Sequence, residues 1–184
     1  KKVDSYYPVK VTWEFLPTLT ILEKKNYLKE LGEILLNDWM DQLPLEIIKI
    51  WRQIAKYECI EYFLFLLKQR NFHIEEVGEK TDTVFETLLE NFSVSKIFNL
   101  TWQAVRDSSD YIMRKSLPRY HGKNIFIGAI QRKAEKALAE KWDIRGIRRD
   151  HECPQSVISS TFFDLFCKLG EKAFEMTIPK TLSI

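Results

Sequence analysis

"PLEIIKIWRQIAKYECIEYFLFLLKQ", residues 44–69, is the stretch whose reading decides the fold. Pro44 suits a first helical turn, where its missing N–H costs nothing, and the apolar residues behind it recur at intervals of three and four. The stretch therefore predicts one long helix, with Trp51, Ile54, Tyr57, Phe65 and the leucines between them in a core. Its most apolar run, "IEYFLFLL" at 60–67, is far short of the roughly 20 residues a membrane-spanning helix needs. A buried helix face is expected there, and no membrane partner.

Upstream, Thr20 and Glu23 stand at capping-box spacing, and Leu28, Leu31 and Leu35 repeat at helical intervals out to about Gln42. Before them "VKVTWEF", at 9–15, alternates apolar and polar residues like a half-buried strand until Pro17. No partner strand is evident, so this segment is expected to be an extended arm or an edge awaiting another chain. Downstream, "HIEEVGEKTD" at 73–82 is polar and acidic and marks an internal boundary. Helices are then expected over 83–90, 94–115 and 122–142, with a last one to about 174 that carries Ile158, Phe162, Leu165 and Leu169 on one stripe. The reading is an all-α chain: roughly a six-helix bundle with a short strand-like or extended N-terminal segment. It divides into an arm (1–17), a helical hairpin (18–72) and a helical region (81–184), packed as one domain.

Composition agrees with that class. Six glycines and six prolines in 184 residues are too few for a turn-rich β sandwich, and 45% hydrophobic residues are ample for a core. Cys59, Cys153 and Cys167 are odd in number and widely spaced, which implies neither a disulfide framework nor a zinc site and makes a reducing cytoplasm the expected compartment. With Lys1 in place of an initiating methionine, the chain is expected to be part of a longer polypeptide.

Charge is unevenly spread. Between Arg114 and Arg149 eleven Lys or Arg face three acids, a balance of +8, so a net charge of +2 leaves −6 for the rest. Such asymmetry points to a polyanion, because Lys and Arg that neutralise phosphates supply most non-specific nucleic-acid affinity. In the 122–142 helix, Phe126, Ile127, Ile130, Ala134, Ala137 and Leu138 share one face, Arg132 and Lys136 lie opposite, and Lys133 flanks them. Candidate contacts are Arg119, Lys123, Arg132, Lys136, Arg145, Arg148 and Arg149. Alternatively the basic face is merely solvated, or docks on the acidic residues 75–90. Lys96, Asn99, Gln103 and Arg106 form a second stripe of the residue types that bond base edges in a major groove, and residues 83–106 loosely resemble a helix-turn-helix unit.

No metalloprotease, phosphate-loop or nucleophile-elbow motif occurs, and neither cofactor nor metal is implied. Arg114 to His121 and Arg145 to His151 have the Arg-then-His spacing of all-helical ribonucleases from toxin and defence systems, with Lys115 and Gly146 where a different polar residue is usual. His151 and Cys153 lack two further ligands for zinc. "DHECPQS" instead reads as a helix start, with Pro154 in the first turn and Cys153 or a neighbour as cap. Three functions follow in order of expectation: electrostatic binding of nucleic acid, protein contact or dimerisation, and metal-independent RNA cleavage.

Overall fold

In the computed structural model the described residues are 20, 22–26, 29–30, 43–72, 77–116 and 122–181. The chain divides into two units, Lys1–Pro44 and Leu45–Ile184. The division falls in the first turn of the long helix, so residues on both sides of 73–82 belong to the second unit. The arm 1–17 and, in the expected 18–72 hairpin, residues 18–19, 21, 27–28 and 31–42 lie outside the described residues. In the first unit, residues 22–26 and 29–30 are helical. The Glu23 carboxylate accepts from the Thr20 N–H at 2.7 Å and the Thr20 hydroxyl from the Glu23 N–H at 3.3 Å, which is the capping box.

In the second unit, α1 (Leu43–Gln69), α2 (Glu79–Leu89), α3 (Val94–Arg114) and α4 (Gly122–Ala139) supply most of the core. Short helices α5 (Val157–Ser160) and α6 (Lys172–Glu175) flank a π-helical turn, Thr161–Phe166. The described residues are all-α, and no strand is formed among them; a lone bridge joins Asp150 and Cys153. No described helix is long and apolar enough to cross a membrane.

The long helices α1, α3 and α4 largely bury the faces their periodicity selects. Trp51, Ala55, Cys59, Tyr62, Phe63, Leu66 and Leu67 of α1 point into the core. So do Ile97, Leu100, Ala104 and Val105 of α3, and Phe126, Ile127, Ile130, Ala134 and Ala137 of α4, as their spacing predicts. Aromatic contacts join the layers: Tyr62 stacks on Phe98 at 3.9 Å, Phe98 meets Phe174 edge-on, and Phe72 meets Phe126. Two apolar residues break the expectation. Tyr57 is exposed while its neighbours Lys56 and Glu58 are buried, and Leu138 stands at the rim of a groove between α2 and α4.

Helix ends use local chemistry. Asn71 after α1 and Lys141 after α4 take left-handed φ of 59° and 52°, and the N–H groups of Phe72 and Trp142 reach back five residues to the Leu67 and Ala137 carbonyls. These are Schellman ends without glycine. Ser93 caps α3 through Lys96 N–H, and α5 begins at Val157 with Ser156 as its cap, so Pro154 precedes the helix and Cys153 is not the cap. The expected final stripe fails for a related reason. The π turn closes on a bond from Cys167 N–H to the Phe162 carbonyl, five residues back, which shifts the register by a residue. Phe163 is consequently buried and Leu165 is 74% exposed, while Ile158, ahead of the π turn, is 72% exposed.

Lys56 of α1 is buried because Glu86 accepts from its amine at 2.8 Å and Asp82 lies 3.5 Å away, both on α2. The Glu86 hydrogen bond, outweighing desolvation, raises its pKa above the ordinary 10.5. A raised lysine contributes stability below its unfolded pKa and loses it as pH rises through the folded value. Glu86→Gln is therefore expected to lower the melting temperature by a constant amount between neutral pH and pH 9, the gap to wild type closing only above about pH 10.5.

Candidate nucleic-acid interface

Residues 140–156 carry the arginines of interest without a regular helix, so their backbone groups need partners elsewhere. The N-terminal half of α3 provides them. Asn99 Nδ2 donates to the Arg145 carbonyl at 2.7 Å, and the Ile147 N–H donates to the Ser95 carbonyl at 3.2 Å. Between these bonds Gly146 passes so close to α3 that a Cβ there would lie 2.5 Å from Ser95 Oγ and 3.0 Å from its Cβ. Only glycine allows that approach.

Arg149 turns inward. Its Nη1 and Nη2 donate to Glu58 Oε1 and Oε2 at 3.0 and 3.2 Å, and its guanidinium lies 4.1 Å from the Phe174 ring centre. Both side chains are largely buried. The connector is thus tied to α1, α3 and α6, and Asp150 then closes a tight turn by accepting the Glu152 N–H at 2.9 Å. His151 occupies the turn, 90% exposed, with Nδ1 3.3 Å from Asp150 Oδ1.

The expected base-reading stripe of α3 is engaged inside the chain. Gln103 Nε2 donates to Asn99 Oδ1 at 2.9 Å, and Lys133 Nζ of α4 donates to Gln103 Oε1 at 3.1 Å and to Asp107 Oδ2 at 2.9 Å. Arg106 donates twice to Asp107 Oδ1 and lies 4.8 Å from the Trp102 ring centre. Burial pushes the Asp107 carboxyl up, but hydrogen bonds and charge from Lys133 and Arg106 together hold it below the usual carboxylate range. Lys96 at the head of the stripe is half-buried.

The other cations face solvent. Arg145 and Arg148 project from the connector, Arg132 from α4 into a shallow cleft beside Asp107 and Tyr111, and Lys136 lies over the Trp142 ring, 3.8 Å from Glu140. Arg119, His121 and the Lys123 side chain lie outside the described residues. Arg148 and Arg149, with Tyr62, Asn99, Trp102 and Ile147, line a cleft of about 550 Å³ between α1, α3 and the connector. Trp102 and Arg148 line the same cleft, and Arg106 lies over the Trp102 ring.

Chemistry at other groups is quiet. Burial pushes all three thiols up, Cys59 furthest, so none is a ready nucleophile. Among the described residues no group of three or more His, Cys, Asp or Glu could hold a metal ion. Sequence reasoning noted Trp102 and Gly146 without giving either a place in the site, and passed over Glu58. A tryptophan on a polar stripe and a glycine inside an arginine-rich connector were the available signals for the first two.

Comparison with known proteins adds a relative without an assigned activity. Over 56 residues the chain is 41% identical to "Uncharacterized protein RC0786" of Rickettsia conorii, covering 30% of this chain and 68% of that protein. No family model matches the chain, and no solved structure matches it significantly.

Two substitutions test the anchoring. Arg149→Met leaves Glu58 buried without its partner and is expected to cost about 3–5 kcal/mol in urea denaturation, most of which Glu58→Leu in the same chain restores. Gly146→Ala is expected to cost about 1–3 kcal/mol through overpacking, with part recovered by adding Ser95→Gly.

Proposed function

Given that the chain belongs to the family of the rickettsial protein RC0786, whose name assigns no activity, we propose from geometry and charge that it binds nucleic acid. The contacts are Arg132, Lys136, Arg145 and Arg148. One observation carries the reading: Arg145 and Arg148 are exposed on a connector whose backbone is pinned along α3, beside the exposed ring of Trp102. Cations presented from a fixed backbone neutralise phosphates with little loss of chain entropy on binding. Arg149, Lys133, Asn99 and Gln103 serve the platform, since each bonds another residue of the chain. The free thiols Cys59, Cys153 and Cys167 fit a reducing, cytoplasmic setting for such a ligand.

A second reading, contact with another protein or a second copy, is favoured by a different surface. Val157, Ile158, Leu165 and Phe166 are all exposed within ten residues of α5 and the π turn, and apolar clusters of this kind mark interaction sites. In light scattering, a wild-type dimer that Leu165→Glu converts to monomer supports it; a monomer throughout removes it.

The nucleic-acid reading predicts steep salt dependence. With about four phosphates neutralised, log affinity for a labelled single strand is expected to fall with log salt at a slope near −3 between about 50 and 200 mM. Arg145→Ala and Arg148→Ala are each expected to lower that slope by about 1. Affinity that does not respond to salt, or no binding at about 50 mM, overturns the reading.

A further inference from the structure

We infer that the cleft between α1, α3 and the connector receives an unpaired nucleotide of a single strand, its base against Trp102 and its phosphate on Arg148. This inference rests on the nucleic-acid reading above and narrows it to single-stranded ligand.

Size comes first. The cleft, about 550 Å³ and open to solvent, lies within the range of roughly 300–1,000 Å³ typical of small-molecule sites, enough for one nucleotide. The lining has both parts that a nucleotide needs. Trp102 is 40% exposed and Ile147 is half-buried beside it, an apolar surface for a base, while Arg148 supplies an exposed guanidinium for a phosphate. Arg106 sits over the Trp102 ring, so a base takes the ring's other face or replaces the guanidinium.

The site is also formed in advance. Tyr62 at its floor is stacked on Phe98, and Arg149 behind Arg148 is fixed by two bonds to Glu58. Asp150 lines the cleft and would repel a phosphate, but its Oδ1 accepts the Glu152 N–H and lies 3.3 Å from His151 Nδ1. The phosphate therefore belongs on Arg148.

Single strand is favoured over duplex by what α3 has left to offer. The amide groups of Asn99 and Gln103, the side chains that would read base edges in a major groove, are occupied by the Arg145 carbonyl, by each other and by Lys133. What remains is a ring, and an aromatic ring engages a base through its face. In a duplex those faces are stacked out of reach; in a single strand they are open.

The test is fluorescence anisotropy of the full chain with a labelled oligothymidine and with its duplex on oligoadenosine, at about 100 mM salt. Wild type is expected to bind the single strand at least about tenfold tighter than the duplex. Trp102→Leu is expected to lose about ten- to a hundredfold for the single strand and little for the duplex, with Trp102→Phe retaining affinity within about threefold. Arg132→Ala, in the separate cleft beside Tyr111, is expected to weaken both ligands alike. Circular dichroism melting confirms that the exposed Trp102 variants remain folded. If Trp102→Leu binds the single strand as wild type does, or duplex and single strand bind wild type equally, the cleft inference is wrong while salt-dependent binding stands. If wild type binds neither oligonucleotide, the nucleic-acid reading falls as well.

Discussion

A carboxylate in a hydrophobic helix face is costly unless a cation reaches it, and Glu58 on α1 is such a group. Arg149 meets it with two hydrogen bonds, using the fixed fork of the guanidinium, and lies against Phe174 at the same time. That pair is the point at which the long first helix, the connector and the last short helix meet. The course of the connector follows from it: a segment held at residue 149 and leaving α4 at residue 139 has few routes past α3.

Once the connector lies there, backbone accounting decides the rest. Its carbonyl and amide groups are too close to α3 to be hydrated freely, so α3 must satisfy them. Asn99 and the Ser95 carbonyl do so, and Gly146 makes the distance short enough. The use of Asn99 is thus settled by a neighbouring chain segment and not by its own helix. Gln103 and Lys133 extend the network to α4, with Asp107 balancing the positive charge. The surface left over has cations, the exposed rings of Trp102 and Trp142 and few uncommitted amides.

Most of the helical fold was legible in the residues. Spacing alone located α3 and α4 and their buried faces to within a few residues, and the Thr20–Glu23 box could be read from two residue types three apart. Errors gathered where tertiary partners compete with local pattern. Tyr57 was expected inside by its apolar surface, but Lys56 and Glu58 on either side take the buried positions because Glu86 and Arg149 reach them. The final stripe assumed one continuous α-helix, and a π turn carried Leu165 outward and Phe163 inward.

The sequence by itself determined the helical class, the apolar face of each long helix and the concentration of positive charge between Arg114 and Arg149. These properties are local: a period of 3.6 residues and a run of basic residues exist in any stretch of chain that carries them. Only the tertiary structure decided which of those charges face outward. Arg148 and Arg149 are adjacent and identical in type, yet one is exposed and the other is joined to a carboxylate 91 residues earlier. Nothing in the neighbourhood of residue 149 announces that partner, because the pairing depends on how two distant segments pack. The same holds for Asn99, whose carbonyl partner lies 46 residues away.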